Sequence, residues 1–195
     1  MSTRDKEAGF TLTEVMVVVV ILSLLAAIST PLFTRDNNAR RGRDWAKVVA
    51  QTLQRARFQA MGDRANIHVL LYRTRMDLYR EEPPPAASGT FTLLSSINGP
   101  TADATATVAI WDARTDGTIP TGKNALMSAA PAAPTTTPAA NEIIFTSLGG
   151  TLNNSNWQVF IRNEILPSAH PDASFSVTVG GLTGFISSRN KVTLP

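Results

Sequence analysis

Between Phe10 and Phe33 the chain is almost entirely apolar, and the one charged side chain in that run is Glu14. A helix needs about 20 apolar residues to cross a bilayer, so the run is long enough to do so. A carboxylate in such a helix costs roughly 2.5–3.5 kcal/mol at the bilayer centre and usually marks function. Glu14 lies near one end, where the cost is lower, but it still requires a partner. A short polar leader precedes the run, and Gly9 marks the junction.

Two ordinary readings compete. A secretory signal has a shorter apolar region and a small-residue cleavage site. Ala26 and Ala27 would place such a cut near Thr30 and leave a soluble chain. A plain single-pass anchor is the other. Flanking charge gives an awkward orientation. Arg35, Arg40, Arg41 and Arg43 follow the run, while Arg4 and Lys6 in the leader are offset by Asp5 and Glu7. Charge bias alone would put the C-terminal side in the cytoplasm.

The helix is expected to continue past the run. Trp45, Val48, Val49, Thr52, Leu53, Ala56 and Ala60 recur at helical spacing and form one apolar stripe. Met61-Gly62-Asp63 supplies a stop. A helix from Phe10 to Met61 would be roughly 78 Å long. Pro31 would kink or loosen it by removing a backbone donor, and Asn37-Asn38 with Gly42 marks a second break point.

After Gly62 the pattern shortens to strands. They are expected at 66–72, 76–80, 91–94, 107–111, 142–147, 157–162, 175–179 and 183–187, with Gly180-Gly181 as a tight hairpin. The stretch 112–140 turns polar and then Ala/Pro/Thr-rich, and is expected to be a mobile loop. The division is therefore a leader at 1–9, an apolar half-helix at 10–33, an amphipathic half-helix at 34–62 and a β-rich head at 63–195. One long helix followed by about eight strands predicts an α+β fold. At 195 residues this is one domain with an appendage. With no cysteine there is no disulfide framework and no thiolate metal site.

The head offers little chemistry. Gly117-Thr118-Ile119-Pro120-Thr121-Gly122-Lys123 fits a phosphate-binding loop, but Asn124 stands where the Mg²⁺-binding hydroxyl is needed. The residues that follow read as loop rather than helix. His68 and His170 lack metal-ligand spacing and are read as structural or surface residues. No nucleophile motif occurs. Neither a cofactor nor a metal is expected, and the chain is not read as an enzyme. The basic residues Arg40, Arg41 and Arg43 could meet anionic lipid or DNA phosphates. A solvated helix face is favoured over that reading, because charge runs on helices are usually solvated.

Residues Gly9, Phe10, Thr11, Leu12 and Glu14, followed by the apolar run and Pro31, resemble the class III signal of type IV pilins and type II secretion pseudopilins. The resemblance implies a cut between Gly9 and Phe10 by prepilin peptidase, and N-methylation of Phe10. It implies that Glu14 meets the N-terminal amine of a neighbouring subunit during assembly. Thr13 departs from the usual apolar residue, and the leader is less basic than typical. The head also resembles the GspH/FimT subgroup, through Gln59-Ala60-Met61, Ile143-Ile144-Phe145 with Gly149-Gly150, and the closing 175–186 segment. That implies a transmembrane and amphipathic helix packed on an antiparallel β-sandwich. The implied protein is a minor pilin or pseudopilin, single-pass in the bacterial inner membrane with its head in the periplasm. Its partners would be other pilin subunits, the peptidase and the assembly platform. Large domains translocate regardless of flanking charge, so this orientation stands against the charge bias. The alternative is a pilus-tip binding module for DNA or a surface; a secreted enzyme has no supporting motif.

Overall fold

The computed structural model describes residues 11–82, 89–100, 108–128, 130, 132–190, 192 and 194. Helix α1 spans Leu12–Asp63 and includes both Pro31 and Gly42. Eight strands follow: β1 Ile67–Tyr72, β2 Arg75–Glu81, β3 Phe91–Asn98, β4 Val108–Arg114, β5 Glu142–Phe145, β6 Trp157–Asn163, β7 Ser174–Val179 and β8 Ile186–Asn190. The chain divides into two compact units, 1–37 and 38–195.

In the second unit the helical stripe does what its spacing predicts. Trp45, Val49, Leu53, Ala56 and Ala60 are buried, while Gln51, Gln54 and Arg55 on the other side are exposed. Gly42 is a packing site rather than a break. A Cβ there would lie 2.8 Å from the Phe175 ring and 3.1 Å from Asn163 Nδ2. The helix stop also falls later than Gly62. Arg64 takes the left-handed conformation (φ 52°), and the Ala65 N–H closes back on Ala60 O at 3.3 Å.

The strands form two four-stranded antiparallel sheets, ordered β3-β2-β1-β5 and β4-β6-β7-β8. Their inward side chains share one core with α1. The first sheet supplies Ile67, Val69, Leu71, Met76, Leu78, Ile143 and Phe145. The second supplies Val108, Ile110, Val159, Ile161, Phe175, Val177 and Val179. This is the α+β architecture expected from the order of elements.

β1 is buried along its whole length and shows no polar alternation, the pattern of a strand covered on both faces. His68, Leu70 and Tyr72 occupy the face away from the core. Phe91 meets the His68 ring edge-on at 4.8 Å. The Tyr72 hydroxyl donates to Ala132 O at 3.0 Å and accepts from the Ala132 N–H at 2.9 Å. Part of the Ala/Pro/Thr-rich stretch thus lies against this face, with Pro134 buried. Earlier in the same stretch, Asp112 to Arg114 belong to β4 and Met127 enters the core. Composition hides such contacts because most of them use backbone groups.

All eight expected strands occur. β3 runs on to Asn98, and β8 begins at Ile186 rather than Thr183. The tight Gly180-Gly181 hairpin is replaced by a wider turn, closed by the Gly180 N–H on Phe185 O at 2.8 Å. Gly181 is needed there for another reason: a Cβ would lie 1.9 Å from Asn154 O.

Candidate functional site

The start of α1 is built from Thr11 and Glu14. The Thr11 backbone N–H and hydroxyl both donate to Glu14 Oε2 at 3.0 Å, and the Glu14 N–H donates back to Thr11 Oγ1 at 3.3 Å. This is a capping box, in which the N-cap hydroxyl and the N3 carboxylate satisfy each other's orphaned backbone donors. A carboxylate also sits favourably near the positive end of the helix dipole. The first turn therefore supplies Glu14 with hydrogen-bond donors but with no opposite charge. The capping role of Thr11 is not among the sequence expectations, which place the residue only within the signal motif. Its signal was present as Thr11-Leu12-Thr13-Glu14, a T-x-x-E pattern ahead of an apolar run.

Beyond the cap, α1 presents apolar side chains to its surroundings. Large side chains from Leu12 to Leu25 are between 50% and 80% exposed. Ser23, a polar residue among them, donates its hydroxyl to Val19 O at 2.7 Å and so satisfies itself within the helix. Among the described residues no helix is long and apolar enough to cross a membrane. Gly9 and Phe10 lie outside the described residues. Pro31 falls inside α1.

The basic set divides. Arg40 and Arg41 are exposed on α1. Arg43 is half-buried and pairs with Asp172, from the β6–β7 connection, at 3.6 Å. Lys47 lies 3.8 Å from Asp44 on the same helix.

The phosphate-loop look-alike is committed elsewhere. Lys123 Nζ lies 2.7 Å from Glu164 Oε1 and 5.0 Å from the centre of the Trp111 ring. Arg73 reaches the other oxygen of Glu164 at 2.5 Å. Partial burial pushes the Glu164 carboxyl up, but these two cations outweigh it and hold it below the ordinary value of 4.5. Asn124 donates from Nδ2 to Asp112 Oδ1 at 2.7 Å. Only the short 3₁₀ turn Ala125–Ser128 follows, not a helix whose N-terminus could receive a phosphate.

His68 is buried between two carboxylates. Its Nδ1–H donates to the buried Glu142 Oε1 at 2.5 Å, and Nε2 lies 3.6 Å from Glu81. Glu142 also accepts from the Ala139 N–H at 2.8 Å, tying the loop to β5. His170 closes a turn by accepting from the Asp172 N–H at 3.1 Å. Among the described residues no group of three or more His, Asp or Glu side chains is placed to hold a metal ion.

Residues 4–30 match the family described as the prokaryotic N-terminal methylation motif. The segment that sequence analysis likened to a class III signal is thus a match to a defined signal of that kind, and the capped start of α1 lies within it. No curated protein sequence matches the chain. Among solved structures it is similar to the type IV minor pilin FimU of Pseudomonas aeruginosa, with 15% identity and a TM-score of 0.47, over 83% of this chain and 93% of that one. It is also similar to the minor pseudopilin EpsH from the type 2 secretion system of Vibrio cholerae, with 13% identity and a TM-score of 0.47, over 77% of this chain and 97% of that one.

Proposed function

We propose that this chain is a structural subunit, a minor pilin or pseudopilin, of a type IV pilus or type II secretion pseudopilus. Prepilin peptidase cuts it between Gly9 and Phe10 and methylates Phe10. The subunit waits in the bacterial inner membrane with its head in the periplasm. The assembly platform then draws it into the filament, where it helps prime assembly. The observation that carries this reading is the methylation motif over residues 4–30, placed on a capped helix whose next turns are apolar and exposed.

The physical argument has two parts. Eleven large apolar side chains between Leu12 and Leu25 stand at least half exposed. At roughly 1 kcal/mol for each half-buried side chain, transferring them to lipid or to neighbouring helices is worth on the order of 10 kcal/mol. The segment therefore has a strong drive out of water in either setting. Glu14 opposes that drive unless its charge is met. A free amine on a neighbour's Phe10 meets it once the leader is removed, so cleavage and assembly become linked. Pro31 weakens the helix by one backbone hydrogen bond at the end of the apolar run.

The test is the mass and sequence of the mature N-terminus, taken from the host's membranes. An N-methylated Phe10 is expected. A start near Pro31, or an uncut Met1, sinks the proposal.

A further inference from the structure

A second set of exposed apolar side chains lies on the head, around the C-terminal turns of α1. Leu148 is 92% exposed, Leu182 76%, Phe185 66% and Phe58 54%. Single exposed apolar residues are ordinary on any protein surface. These four come from three separate stretches: α1, the turn after β5, and the turn between β7 and β8. The fold brings those stretches together by other means.

Arg57 is the hub. Its Nε donates to Gly149 O at 3.1 Å, and its guanidinium carbon lies 5.7 Å from the centre of the Phe58 ring. The Thr151 N–H donates to Gly181 O at 2.8 Å, joining the two turns. A Cβ on Gly184 would lie 1.9 Å from Gly149 O, and one on Gly150 would lie 2.8 Å from Leu182 O. Glycines seat one turn against the other, backbone to backbone. The large side chains beside them contribute little to that seating and stay in water. Two turns seated backbone to backbone that display large apolar groups have the anatomy of an interaction site.

Charge narrows the partner. Arg55 and Phe58 line one groove on α1, together with Gln51, Gln54 and Gln59. Among the described residues neither Arg55 nor Arg57 has a carboxylate partner. The apolar patch therefore carries a cationic rim. A second copy of this chain would set arginine against arginine, which disfavours self-pairing.

We propose that this pole of the head docks another protein chain, whose facing surface is aliphatic at its centre and rimmed by carboxylates. That the partner is a different subunit of the same filament rests on the proposed function; the surface itself does not.

The chain contains no cysteine, so a single introduced one can be labelled alone. Full-length Leu182→Cys is expressed in its own host, labelled in spheroplasts with a benzophenone maleimide, irradiated, and its adduct sequenced by mass spectrometry. Thr121→Cys, exposed elsewhere on the head, is the control. The expected result is one adduct at position 182, absent at 121, within an apolar segment flanked by Asp or Glu. Adding Arg55→Glu lowers its yield by up to about fivefold, the scale of one exposed ion pair. An unchanged unfolding transition in the labelled protein shows that the fold is kept.

Equal yields at 182 and 121, an adduct with a second copy, a lipid adduct or a basic partner segment would each overturn the surface. The N-terminus of the same sample is weighed as well. A methylated Phe10 without the adduct sinks the surface and leaves the proposed function standing. An acid-flanked partner that lacks the methylation motif supports the surface and removes the clause that this partner is a subunit of the filament.

Discussion

The cap that Glu14 forms and the assembly contact proposed for it draw on two different properties of the side chain. The capping box uses an oxygen acceptor aimed at the Thr11 N–H, whereas the proposed contact with a neighbour's amine uses the negative charge. Glutamine retains the acceptor and loses the charge, and either residue can close a capping box. Glu14→Gln is therefore expected to keep membrane insertion and the helix start but to fail in filament incorporation, and Glu14→Ala is expected to fail there too. Thr11→Ala is the converse. It keeps the charge and loses the cap, at about 1 kcal/mol of local helix stability, so it should incorporate at reduced yield. Sheared-filament fractions blotted for the subunit, with circular dichroism of the N-terminal peptide in detergent micelles, separate the two. Wild-type incorporation of Glu14→Gln would remove the assembly role and leave only the cap. Sequence alone exposes Glu14, because one charge in a long apolar run stands out. It does not expose Glu142, which meets His68 across 74 positions of sequence and belongs to no local pattern.

Helix α1 shows how an element can be read correctly and still be misjudged at one position. The stripe from Trp45 to Ala60 is periodic, so the buried face is legible. Gly42 invites the reading of a break because glycine costs roughly 1 kcal/mol against alanine in a helix interior. The structure gives it another role, letting the helix approach Phe175 and Asn163 on the second sheet. On propensity alone Gly42→Ala would stabilise by that amount. The new Cβ, however, would stand 2.8 Å from the ring of Phe175, which is 1% exposed and held in the core. Overpacking a fixed core group costs about 1–3 kcal/mol, so the net effect is expected to be a loss of up to about 2 kcal/mol. Urea unfolding of the wild type and the variant reads the sign directly, and a raised midpoint would mean that the ring moves aside. The strands were legible for the same reason as the stripe, since short β-rich runs alternate with turn residues. Their extents were less so. β8 begins at Ile186 because the chain first spends Thr183 and Gly184 on the turn that rests against Gly149, a contact with no sequence signature. The Ala/Pro/Thr-rich stretch looks empty by composition, yet Ala132 engages Tyr72 through its own N–H and C=O.

At the scale of the molecule, the apolar run and the head make separate demands, and the boundary between the two compact units falls between Asn37 and Asn38. Every member of the main core cluster lies between Trp45 and Val179. The smaller clusters join Ala39 to Leu166 and Ala173, and Trp111 to Phe160 and Leu194. A fragment 38–195 thus keeps all three clusters, and is expected to unfold cooperatively with a radius of gyration of about 15 Å. A fragment beginning at residue 50 loses Trp45, Ala46 and Val49 from the core. Removing a buried tryptophan side chain alone costs about 3–5 kcal/mol, against a total stability of about 5–15 kcal/mol for an ordinary domain. The shorter fragment should therefore be unfolded or molten, although it keeps every strand. Small-angle scattering and near-ultraviolet circular dichroism of the two fragments decide between these outcomes. If the shorter one is compact with fixed tertiary signals, the second half of α1 is dispensable to the head. If the longer one is expanded, the head depends on residues before Asn38. A compact, cooperative 38–195 that fails to enter filaments would place folding in the head and assembly in the segment that begins at Thr11.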